Sequence, residues 1–166
     1  MSNQINKNDN QFKKIDIQKL IQGENINDII IEIDNYICTL CEWGDKMENL
    51  SNAQKFFYYN QNLEREINNG GFSQYFFNST GDYAHETVDS LIAINANHTA
   101  KILKKAIAQF PENKVPKNSN LREEIIEKIE EEANIVWEEL ENDFFKYEDN
   151  LNELNLKFVK ENLNSF

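Results

Sequence analysis

Residues 66 to 83 read Glu-Ile-Asn-Asn-Gly-Gly-Phe-Ser-Gln-Tyr-Phe-Phe-Asn-Ser-Thr-Gly-Asp-Tyr and hold three of the chain's five glycines between two helix-like segments. Upstream, Ser51 and Gln54 form a capping-box pattern that opens a helix carrying Phe56, Tyr59, Leu63 and Ile67 on one face. Asn69-Gly70 closes that pattern, since glycine accepts the left-handed backbone common at helix ends. Phe72 to Phe77 have room for a short helix, and Thr80 or Asp82 offers a cap for the next, over about 84 to 94. The stretch is therefore punctuation between helices. It lacks the Gly-Lys-Ser/Thr ending that a phosphate-cradling loop needs.

The same periodicity extends in both directions. Ile26, Ile29, Ile30, Ile33, Ile37, Leu40 and Cys41 recur at three- and four-residue steps until Gly44, and a shorter helix over about 15 to 22 is stopped by Gly23. Asn97 is placed to cap a helix with Leu103, Ala106, Ile107 and Phe110 on one side, ended by Pro111. The Pro111 to Pro116 segment is a connector. Leu121, Ile125, Ile129, Ala133, Trp137, Leu140 and Phe144 keep helical register for more than twenty residues, with a break expected near Asn134. Leu151, Leu154, Phe158, Val159 and Leu163 mark a final helix. No alternating strand pattern occurs, so the expectation is an all-α, compact single-domain bundle of about six to eight helices over residues 15–166, behind a polar, disordered tail at 1–14.

The run Asn69-Gly70-Gly71-Phe72, followed by Gln74, Phe76, Phe77, Asn78, Gly81, Asp82 and Tyr83 and then Ala84-His85-Glu86-Thr87, resembles a bacterial family of acidic DNA-mimic proteins. Their helical domain was long labelled as of unknown function. The resemblance implies a protein that binds other proteins, its carboxylates standing in for phosphates. The matching residues are not themselves the acidic ones.

Charge has to be read separately. The formal net charge is -12 and the isoelectric point is near 4.6, which opposes direct encounter with nucleic acid or anionic lipid and favours a basic protein partner. Residues 112 to 166 hold 15 acidic and 7 basic side chains, against 14 and 10 in residues 1 to 111. Glu123, Glu124, Glu127, Glu130, Glu131, Glu132, Glu138, Glu139, Glu141 and Asp143 lie mostly off the apolar stripe, so packing that stripe turns them outward as a ridge. The ordinary fate of such a face is solvation and weak pairing, as of Glu124 with Lys128. Excess charge, ridge and family-like block together favour a basic DNA-binding protein, such as a transcription regulator, as partner, in competition with DNA. An immunity or antitoxin-like inhibitor of a cationic nuclease is the alternative within the binding class. The sequence leaves a homodimer open.

Chemistry-bearing clusters are few. Cys38 and Cys41 form a lone C-x-x-C inside a helix, without the strand a redox pair follows or the further ligands structural zinc needs, so Cys41 joins the apolar face and Cys38 flanks it. Asp82, His85, Glu86 and Asp89 have spacings compatible with a divalent metal and would centre a metal-dependent enzyme, but acidic residues in a first helical turn also suit the helix dipole. His98 reads as a surface residue. No enzyme and no cofactor is expected. Polar residues 1 to 14 and apolar runs of at most four residues, as in Phe56-Phe57-Tyr58-Tyr59, lead us to expect a cytoplasmic protein without membrane spans.

Overall fold

The computed structural model describes residues 15–166; the expected tail lies outside them. The fold is all-α. Seven helices follow in order among the described residues: α1 (Ile17–Leu20), α2 (Ile26–Leu40), α3 (Asn52–Phe77), α4 (Ala84–Ala93), α5 (Asn97–Ile107), α6 (Ser119–Phe144) and α7 (Leu151–Glu161), with single 3-10 turns between several of them.

α3 is the spine, touching α2, α4, α6 and α7. Its start is the expected capping box: the Gln54 amide donates to Ser51 Oγ at 3.1 Å, and the Ser51 amide donates back to Gln54 Oε1 at 2.9 Å. Its two halves serve two cores. Phe57, Tyr58 and Tyr59 pack with Ile29, Ile33, Ile37, Cys38 and Cys41 of the α2 segment and Val159 of α7. Leu63, Ile67, Phe72 and Phe76 pack with Leu91 of α4, Leu103 of α5, Phe110 just after α5, and Trp137 and Phe144 of α6. Phe76 is the hub of the second core, its ring centroid 4.9 Å from that of Phe110 and 5.3 Å from that of Trp137.

The glycine stretch interrupts α3 as expected: Gly70 and Gly71 leave the helical backbone, and a short second helical segment follows. Gly71 sits at φ 72°, ψ −167°, a conformation essentially confined to glycine, and the chain re-enters a helix at Phe72. A Cβ on Gly71 would collide with the Glu141 carboxylate. Gly81 solves a different problem, because a Cβ there would lie 2.6 Å from the Phe76 carbonyl oxygen and 2.8 Å from Arg122 Nε.

Several local expectations give way to long-range contacts. α4 starts on Tyr83 without a side-chain cap. The Thr80 hydroxyl donates to the Tyr75 carbonyl at 2.8 Å, and Asp82 pairs with Arg122. Asn97 is the first residue of α5, not its cap, and the Thr99 amide donates instead to Asp149 Oδ2 at 2.8 Å, fifty positions away. α6 runs through Asn134 without a break, since Ala133 and Trp137 hold that turn against the core. Cys38 is as fully buried as Cys41, with burial pushing its thiol up to about 12, so it is an inert packing residue.

Candidate functional site

α6 is an amphipathic helix in which Ile126, Ala133, Trp137, Leu140 and Phe144 face the core. At 100° per residue the opposite line is Glu124, Glu127, Glu131 and Glu138, all exposed. Glu123 and Glu130 flank that line on one side, and Glu132 and Glu139 flank it on the other. Among the described residues, none of these eight lies within ion-pairing distance of a basic side chain, and the Glu124–Lys128 pair is not formed. The span from Glu123 to Glu139 is about 24 Å at 1.5 Å per residue, or about 3 Å of axis per carboxylate. Ile135, 65% exposed, and Lys128 interrupt the acidic surface.

Two members of the expected ridge are committed elsewhere. Glu141 turns inward, its Oε1 accepting the Phe72 amide at 2.7 Å, where it caps the helical turn that restarts after Gly71. Asp143 accepts from Lys146 Nζ at 2.9 Å and lies 3.4 Å from His98 Nε2. The Lys146 hydrogen bond holds the Asp143 carboxyl below its usual range. These positions lie past the free stretch, at the end where α6 meets the bend in α3 and the start of α5.

The rigidity of α6 is set at its first turn. Asn118 caps it through the Leu121 amide at 2.9 Å. Arg122, fully buried, donates through Nε to the Phe76 carbonyl at 2.6 Å, through Nη2 to the Asn78 carbonyl at 3.0 Å, and through Nη1 to the Pro116 carbonyl at 2.7 Å. Its Nη1 stands 2.7 Å from Asp82 Oδ1. One side chain thus binds α6 to the end of α3, the 78–83 turn and the loop before α6. The apolar periodicity of α6 gives no sign of this role.

The proposed metal cluster is dispersed. Asp82 goes to Arg122, Glu86 to Lys117, and His85 Nε2 accepts the Val115 amide at 3.2 Å. His98 instead lies between Asp143 and Glu148, one nitrogen 3.4 Å from each. In the 66–83 stretch, Gln74 Nε2 and Asn78 Nδ2 both donate to Glu66 Oε2, at 2.6 and 2.9 Å, and Asn68 Nδ2 donates to the Glu64 carbonyl at 2.8 Å. The amides of this stretch are therefore internal fasteners. No helix among the described residues is long and apolar enough to cross a membrane.

A family model described as DMP19-like protein matches residues 48–162, from just before α3 through the end of α7. No curated protein and no solved structure matches the chain.

Proposed function

The chain belongs to the DMP19-like protein family, a DNA-mimic family, and from that premise we propose that it binds the basic surface of a DNA-binding protein and competes with DNA for it. The observation that supports this most directly is the unpaired state of the α6 carboxylates. Their spacing of about 3 Å of axis is close to the roughly 3.4 Å between phosphates along one DNA strand. Glutamates already paired with lysine would have no field to offer, whereas these eight are free to accept charge-assisted hydrogen bonds from arginine forks and lysines. A transcription regulator is the partner class that fits competition with DNA. No catalytic step is assigned.

The mechanism follows from electrostatics and rigidity. A net charge of -12 draws a cationic groove in from a distance, and α6, fixed at one end by Arg122 and along its length by Trp137 and Leu140, meets it without paying to order a loose segment. Displaced DNA and bound glutamates compete for the same arginines.

The test is capture from the native cell followed by competition with duplex DNA. The comparison is between the wild-type protein and a variant with Glu124, Glu127, Glu131 and Glu138 all changed to Gln and Glu141 left intact. Capture that weakens steeply with salt, is displaced by DNA and is lost in the variant is the expected result. Unchanged capture by the fourfold variant would remove the ridge from the mechanism, and a captured nuclease in place of a regulator would move the protein to the inhibitor class.

A further inference from the structure

Away from the α6 ridge, the 3-10 turn at Glu42–Gly44, the middle of α3 and the 79–83 turn enclose a pocket of about 190 Å³. Trp43, Tyr58, Tyr59, Tyr75 and Tyr83 contribute its aromatic wall, and Asp45 and Asp82 its carboxylates. The volume corresponds to about six waters at roughly 30 Å³ each, which is room for the end of one side chain and too little for a nucleotide.

Its rim is unusual. Glu42 and Trp43 both adopt positive φ, 48° and 61°, a backbone that non-glycine residues rarely accept, and the result is a tryptophan left 70% exposed at the mouth. Burial does not hold Trp43 in place there. Inside, Tyr59 and Tyr83 stack at 4.9 Å, and the Tyr83 ring already has a cation near it, Lys117 Nζ, 5.7 Å from its centroid. Tyr75 is occupied by its hydrogen bond to Thr87 at 3.0 Å.

We infer that this pocket receives the guanidinium of an arginine side chain presented by a protein partner. A guanidinium has only donors and a flat face, so it needs acceptors combined with aromatic surface, and the pocket supplies both. Arg122 stands behind Asp82 and offsets its charge, but its donors are engaged by the carbonyls of Phe76, Asn78 and Pro116, and the exposed Asp45 adds negative charge at the mouth. The whole-molecule charge of -12 favours a cation further. The inference rests on the proposed partner class, since arginine is the commonest base-reading residue of DNA-binding proteins. It gives partner recognition a single-residue anchor separate from the charge of the ridge.

The experiment needs no partner, so its outcome is separate from that of the ridge. N-acetylarginine N-methylamide, its neutral isostere N-acetylcitrulline N-methylamide, and tetramethylammonium chloride are titrated into the protein, and the two tryptophan indole signals are followed by NMR together with the backbone amides of Asp45 and Tyr83, which report binding in every variant. Saturable movement of the Trp43 signal with the arginine probe is expected, with Trp137, buried and bonded to the Ala106 carbonyl, as the unmoving control. Binding of the citrulline probe should be about tenfold weaker or worse, and Trp43→Ala and Asp45→Asn should each weaken the arginine probe severalfold without altering the circular dichroism. Equal binding of citrulline, or a Trp43→Ala variant that binds as the wild type does, would overturn the assignment. So would tighter binding of tetramethylammonium, which would identify a site for methylated ammonium groups.

Discussion

Glu141 Oε1 accepts the amide of Phe72 at 2.7 Å across 69 positions of sequence, and its carboxylate places a second constraint on Gly71, whose backbone already favours glycine. The carboxylate occupies the space a Cβ at position 71 would take. Glu141→Ala should destabilise the protein by about 1–2 kcal/mol, the usual loss for a helix cap. Gly71→Ala should cost more, because it adds backbone strain at φ 72° to the collision. The two should not add: in the Glu141→Ala background the alanine at 71 loses its collision and keeps only its strain. Urea denaturation of the four proteins measures the coupling, and strict additivity would mean that the carboxylate and the glycine do not share one space.

Arg122 gives the largest single-residue prediction. Its removal leaves the carbonyls of Phe76, Asn78 and Pro116 without their donor and the partly exposed Asp82 carboxylate without its cation. Arg122→Met should cost about 3–5 kcal/mol, because three carbonyls lose a charged donor at about 1–3 kcal/mol each. Arg122→Lys should recover little of that, because an ammonium cannot reach three carbonyls in different directions. Full recovery by lysine in a denaturation series would show that charge alone, and not the fork, holds the first turn of α6.

What the sequence could and could not reveal divides along the same line. The helix faces were legible because core residues such as Ile33, Leu63, Trp137 and Val159 repeat every three or four positions, a purely local signal. The exposed glutamates were legible as the complement of that stripe. Glu141 and Asp143 were not separable from them, because what sets them apart is a backbone amide at Phe72 and side chains at His98 and Lys146. The caps expected at Thr80, Asp82 and Asn97 failed for a related reason. Asp149 serves α5 from fifty positions away, and no periodicity encodes that distance. Tyr59, placed by periodicity on the apolar face of its helix, is buried as expected, while the pocket beside it depends on where the Glu42–Gly44 turn places Trp43.

Glu64 predicts a pH dependence. Burial pushes its carboxyl above the usual carboxylate range, with the Tyr147 hydroxyl acting against the shift. A raised carboxyl means that the folded state prefers the protonated form. Its stabilising contribution is therefore complete below the unfolded value of about 4.3 and is lost as pH rises through the higher folded value. At neutral pH the ionised group is a liability. Glu64→Gln should melt higher than the wild type at neutral pH, and the gap should close as pH falls to about 4. Thermal melts across that range decide it, and a gap independent of pH would place the effect in packing.

The ridge should cost stability in proportion to its use. Glu127 and Glu131 are neighbours at i,i+4 on the exposed line, and Glu123 lies four residues before Glu127, so like charges face each other and neither partner is ion-paired with Lys128. Each such pair costs about 0.2–0.5 kcal/mol in low salt. Changing Glu127 and Glu131 to Gln should therefore raise stability by about 0.5–1 kcal/mol, with the gain shrinking as salt screens the repulsion. The same variant should lose partner capture. Opposite movement of the two properties is expected for a surface shaped for binding, since a merely solvated face would gain stability at no functional loss. Denaturation at low and high salt, paired with the capture assay, separates these cases: a variant that is more stable and still captures fully would make the repulsion incidental.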